Sequence, residues 1–162
     1  MKIVLVIVAI VLVAGAVLVF LRSRVVDNIP VQVGQIPAIV AQLKATGHDT
    51  SFVVFLFSPP GTSPQDDSQS VNLQFSIDKN RLGLDWVLLS PRNKADEARI
   101  AQFMKDQGFA VNKRLENGVS FLRVEDGDIV ALGLKIVTQF YGLNRSDSID
   151  MIVDGFDWKA GG

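Results

Sequence analysis

Nineteen consecutive residues, Ile3 to Leu21, carry no charge, amide or hydroxyl, and no other feature of the chain narrows its architecture as much. At ~1.5 Å per residue a helix of that length spans roughly 28 Å, close to the ~30 Å hydrocarbon core of a bilayer. Lys2 precedes the run and Arg22, Ser23 and Arg24 close it, so polar flanks begin where headgroups would. A helix packed in a globular core is apolar along one stripe rather than on every face. We therefore read residues 1–24 as a transmembrane anchor, with lipid around Ile3 to Leu21.

A cleaved secretory signal is the competing reading, and Ala14-Gly15-Ala16 supplies the small residues that cleavage needs. Cleavage there would leave Val17-Leu18-Val19-Phe20-Leu21 as a greasy new terminus, which favours an uncleaved anchor. The chain contains no cysteine, which excludes a thiol-linked lipid and any disulfide. Flanking charge is nearly balanced, with Lys2 and the α-amino group on one side and Arg22, Arg24 and Asp27 on the other. The two arginines favour a cytoplasmic location for the remainder of the chain.

Without Lys2, Arg22 and Arg24, the remainder holds 13 basic and 17 acidic residues, a net charge of −4. Nucleic acid is a poor partner for such a surface, since phosphate binding needs basic patches. Residues 25–34 combine Asn28, Pro30 and Gly34 with valines and show no sustained period, so they read as a short extended linker. Residues 35–162 are then one soluble domain, long enough to bury a core.

Within it, Ile36, Ile39, Val40 and Leu43 recur at helical spacing between Gln35 and Thr46, and Gly47 provides a stop. Ser51 to Phe57 is almost wholly apolar and reads as a strand covered on both faces. A polar loop, Ser58 to Ser70, leads to Val71, Leu73, Phe75 and Ile77, which alternate with Asn72, Gln74, Ser76 and Asp78. That alternation predicts a half-buried strand. A turn around Lys79 to Gly83 precedes a third strand, Leu84 to Leu89.

Ser90-Pro91 and Asn93 start a second helix, on which Ile100, Phe103 and Met104 share a face before Gly108. Asn117-Gly118 between Phe109–Leu115 and Val119–Val124 is a strong hairpin signal. A third helix, Asp128 to Tyr141, is polar only at Asp128, Lys135, Thr138 and Gln139, so it is either central in the core or meets another protein. Ser148 to Val153 is a final short strand. The predicted class is α+β, an antiparallel sheet packed against helices in the order α-β-β-β-α-β-β-α-β.

Chemistry-bearing motifs are scarce. A single histidine and no cysteine exclude a thiol nucleophile and a multi-histidine zinc site. His48 lies between Gly47 and Asp49 with no Gly-x-Ser-x-Gly elbow in the chain, so it reads as a turn residue rather than a triad member. Asp66-Asp67, Glu125-Asp126-Gly127-Asp128 and Asp150, Asp154 and Asp157 lack EF-hand spacing. No nucleotide-binding glycine pattern occurs. No catalytic, cofactor-binding or metal-ligating residue is assigned. In the anchor, Ala9, Gly15 and Ala16 offer a weak close-approach surface for another membrane helix.

The element order, with Gly83-Leu84-Asp85-Trp86-Val87-Leu88-Leu89 leading into the second helix and Asn117-Gly118 in the later hairpin, resembles the type III secretion chaperone-like fold. The resemblance covers Gln35 to about Leu143. It implies an antiparallel sheet against helices and a protein-binding, often dimeric, non-catalytic role. An anchor and a C-terminal strand depart from that pattern. The expected function is a membrane-anchored protein-binding module, an accessory subunit or assembly factor with other membrane subunits or a second copy as partners. The alternative is a membrane-bound metal-assisted hydrolase using carboxylates near Asp150 to Asp157.

Overall fold

The computed structural model describes residues 28–63 and 66–159. The anchor expected over residues 1–24 lies outside the described residues. Among those described, no helix is long and apolar enough to cross a membrane.

Seven strands form one antiparallel sheet: β1 (Ile29–Gln32), β2 (Phe52–Phe57), β3 (Val71–Asp78), β4 (Arg81–Val87), β5 (Asn112–Glu116), β6 (Val119–Val124) and β7 (Ser148–Asp154). Their spatial order is β1-β7-β2-β3-β4-β6-β5. The helices are α1 (Ile36–Thr46), α2 (Pro91–Ala95), α3 (Glu97–Asp106) and α4 (Ile129–Lys135). The expected α+β class and antiparallel sheet are therefore present.

Two tight turns set the register on one side of the sheet. Lys79 and Asn80 both have positive φ, at 51° and 61°, and close β3 on β4 with Asp78 opposite Arg81. Asn117 and Gly118, at 48° and 80°, do the same for β5 and β6 with Glu116 opposite Val119. Two left-handed residues in succession match the right-handed twist of hairpin strands.

Apolar residues from one face of the strands meet the helices in a single core. Ile36, Ile39, Val40 and Leu43 of α1, Ile100 and Met104 of α3, and Ile129 and Leu132 of α4 belong to it with Phe55, Phe75, Leu84 and Trp86. Helix α4 lies close over the sheet because position 133 is glycine: a Cβ there would come within 2.4 Å of the Phe75 ring. The third helix is thus central, with Leu132, Ile136 and Val137 almost fully buried.

Four expectations need correction. The stretch read as linker, 25–34, contributes β1, whose Ile29 and Val31 face Met151 and Ile149 of β7, followed by a 3-10 turn at Val33–Gln35. Pro30 hid the strand, yet proline is accommodated at a sheet edge. The second helix breaks at Asp96, with φ −90° and ψ 0°, because its carboxylate takes hydrogen bonds from Arg92, Arg99 and Tyr141. The third helix is not α-helical throughout: it is α over Ile129–Lys135 and continues as a π helix over Ile136–Phe140. Strand β3 is not half-buried: Gln74, Ser76 and Asp78 are as buried as their apolar neighbours.

Asn93, fully buried, latches α2 to the sheet. Its Nδ2 donates to the carbonyls of Asn72 (2.8 Å) and Val87 (2.9 Å), its Oδ1 accepts from the Asn72 N–H, and its own carbonyl accepts from the Trp86 indole. Replacing Asn93 with Ala should cost about 1–3 kcal/mol for each buried group left unpaired. Urea unfolding of the full chain in detergent would register this as a lower midpoint at unchanged slope.

Candidate functional site

The residues singled out from sequence do not converge. His48 is exposed; its Nδ1 lies 3.0 Å from the Asp49 carbonyl oxygen and its backbone N–H donates to Ser51 Oγ. Asp66 accepts from the Ser68 N–H in a one-turn 3-10 segment, and Asp128 caps α4 by accepting from Ala131 at 2.9 Å. Asp126 pairs with Arg81 at 3.0 Å in solvent.

Asp150 and Asp154 lie on the same face of β7, four residues apart and therefore separated by roughly 13 Å. Asp150 sits opposite Leu56 and Asp154 opposite Phe52. Asp154 and Asp157 border a surface groove of about 750 Å³ with Gln42, Thr46 and Lys159, and the Asp157 carbonyl accepts from Gln42. Asp150 does not line it. Among the described residues, no three His, Cys, Asp or Glu side chains are grouped to hold a metal ion.

What sequence reasoning missed lies on the sheet face turned from the helices. Asp85 of β4 stands opposite Arg123 of β6, and opposite Gln74 of β3. The Arg123 guanidinium is fully buried. Its Nη1 donates to Asp85 Oδ1 at 2.7 Å, Asp85 Oδ2 at 2.9 Å and Ser76 Oγ at 2.9 Å, and its Nε donates to Glu125 Oε1 at 2.7 Å. Ser76 Oγ in turn donates to Asp85 Oδ2 at 2.5 Å. Arg114 of β5 extends the network to Glu125 (3.0 Å) and Asp78 (3.5 Å). Asp78 Oδ1 is buried and receives no hydrogen bond from the described residues.

Gly83 makes room for this arrangement, since a Cβ there would lie 2.3 Å from the Arg123 guanidinium carbon. The signal in the sequence was a charge inside each of two apolar strands, Leu84-Asp85-Trp86 and Leu122-Arg123-Val124. Which strand opposes which is not written in either.

Electrostatics follow the geometry. Burial pushes the Asp85 carboxyl up, and Arg123 and Ser76 pull against it. Burial pushes the Arg123 guanidinium down, but Asp85 and Glu125 outweigh it and leave it above its ordinary range. Burial also lifts Glu125, yet Arg123, Arg114 and Arg81 hold its carboxyl below the ordinary 4.5. Glu116 lies the other way, raised by burial and by Asp78. Every guanidinium here already has a carboxylate partner, so the network orders strands and is not poised for proton transfer.

Two small apolar clusters flank the charged stripe. Phe52, Val54 and Ile152 with Leu56 occupy β2 and β7; Val87 and Phe121 with Leu89 and Val119 occupy the β4 and β6 side. Neither includes a helical residue. On the helix side, Tyr141 stacks on Trp86 with centroids 6.1 Å apart and donates to Asp96 at 2.9 Å. Burial and Asp96 keep its phenol far above the usual range.

Removing one partner of a buried pair strands the other. Arg123→Met should destabilise by about 3–5 kcal/mol, and adding Asp85→Leu should return much of that loss, as a double-mutant cycle by urea unfolding would show. Because the folded Glu125 is the stronger acid, its contribution is present above the unfolded value and lost as pH falls through the folded one. Glu125→Gln should therefore flatten the acid limb of the stability–pH profile below about pH 4.5, relative to wild type.

Compared with protein-family models, curated proteins and solved structures, the chain matches none.

Proposed function

We propose that the chain is a membrane-tethered protein-binding module, an accessory subunit or assembly factor of a larger membrane complex, with its α+β domain on the cytoplasmic side. The observation that carries this reading is the spacing between the apolar run and the fold. The run ends at Leu21 and β1 begins at Ile29, leaving residues 22–28. Seven extended residues reach roughly 25 Å at most. A domain tethered that closely acts on what lies at the bilayer surface, and β1 is paired into the sheet rather than serving as slack.

The single layer of helices on an antiparallel sheet supports the likeness to the type III secretion chaperone-like fold, and a protein-binding role is the one that likeness implies. The buried ion network adds to this, since its charged groups are spent on holding strands together.

Affinity purification of the full chain in mild detergent should recover a different membrane protein at fixed stoichiometry. Repeated recovery without one would overturn the accessory-subunit reading. Single cysteines at Lys2 and Lys159 should place the domain: an impermeant maleimide applied to intact cells is expected to spare the Lys159 position. Labelling there and not at Lys2 would put the domain on the outer side.

A further inference from the structure

The sheet face turned from the helices is drier than an uncovered face should be. Phe52 of β2 and Phe121 of β6 are each 1% exposed, and Val54, Val87 and Ile152 are nearly as buried. Yet the two apolar clusters that they form contain no helical residue, and an antiparallel sheet with helices on one side ordinarily leaves its other face solvated. The face is also a trough. Arg114 of β5 comes within 3.5 Å of Asp78 of β3 across β6 and β4, a span of about 14 Å in a flat sheet. Between the clusters, Arg123, Asp85, Ser76 and Glu125 satisfy one another. A polar network so completed asks nothing of its cover, and an apolar surface can lie over it.

Chain length and entry point select the occupant. Residues 1–27 precede the described fold and lead into it at β1, the edge strand beside β7. The nearer apolar cluster lies on β7 and β2. The farther one, on β4 and β6, is three strand spacings away, roughly 14 Å. A helix over Ile3 to Leu21 is roughly 28 Å long, enough to cover both. Residues 22–28 reach roughly 25 Å at most, which brings Leu21 over β7 with slack to spare. So short a tether holds the run beside the face at roughly millimolar effective concentration. Entry at β1 also fixes polarity: Val17, Leu18 and Val19 fall on the nearer cluster, and Val6, Ile7 and Val8 lie toward the farther one.

We propose that the outer sheet face is the docking site for residues 3–21 of the same chain whenever that run is not in a bilayer. A docked helix that is apolar on every side still turns one side to water. Insertion covers that side too, so a membrane withdraws the run and opens the face. The inference rests on the anchor reading of the run and not on any partner the module binds.

The full chain, synthesised without membranes or detergent and then mixed with phosphatidylcholine vesicles, tests this, since no native cysteine interferes. Successive helical positions turn by about 100°, so one of Val17, Leu18 and Val19 must face the sheet. Paired with Val54→Cys, one of Val17→Cys, Leu18→Cys and Val19→Cys should form an intramolecular disulfide on mild oxidation of the membrane-free chain, and Val6→Cys, Ile7→Cys and Val8→Cys should not. Equal yields from the two ends, or disulfides only between chains, overturn the proposal. Val54→Cys alone gives a second readout: a maleimide should modify it at least roughly tenfold faster once vesicles have taken up the run. Protection that survives insertion means that something other than the run closes the face, and fast modification already in the membrane-free chain means that nothing does; either result overturns the docking. Insertion itself is scored by resistance to alkaline carbonate. A run that inserts while the face is open throughout sinks the docking alone. One that stays extractable while the cross-link forms sinks the tether and leaves the docking in place.

Discussion

A guanidinium taken out of water must be answered by fixed acceptors, and the acceptors for Arg123 come from different strands. Ser76 is on β3, Asp85 on β4 and Glu125 directly after β6, so the charge is satisfied only when those strands lie in one register. A slip of one residue would carry Arg123 into the apolar core and Leu122 or Val124 out of it. The turn at Lys79-Asn80 and the absence of a side chain at Gly83 are the local conditions that let this register close.

The opposite face is organised by aromatic contact and one carboxylate. Trp86, Tyr141, Phe57 and Phe140 form a chain of ring contacts, and Asp96 holds Tyr141, Arg92 and Arg99 together. The break between α2 and α3 is the cost of bringing that carboxylate inward. Lys135 then ties α4 to Gln107 at 2.8 Å. Both faces thus place a buried carboxylate where neighbouring elements meet, one fixing strand register and the other fixing helix placement.

Much of the fold was legible because it is written in local patterns. The apolar block Phe52–Phe57, the Asn117-Gly118 turn, the spacing of Ile36, Ile39, Val40 and Leu43, and the cap at Asp128 each act within a few residues. What sequence reading lost was set by distant partners. Ser76 and Asp78 look like a solvent-facing row until Arg123 and Arg114 are placed beside them. Asp96 looks like a first-turn acid until Tyr141 arrives from 45 positions away. Strand β1 has no pattern of its own beyond four residues, and only β7 makes it a strand. The candidate site was legible in still smaller part, since Asp85 and Arg123 meet only once strand order is known.

The position of β7 has a consequence for how the molecule is made. Ile29 of the first strand pairs with Met151 of the last, and β2 shares that same last strand. During synthesis at ~5–20 residues per second, β1 leaves the ribosome long before its neighbouring strand exists. Sheet completion is thus a late event. Pairings so distant in sequence are slow to form, so the nascent domain passes through a period in which β1 and β2 lack their shared neighbour.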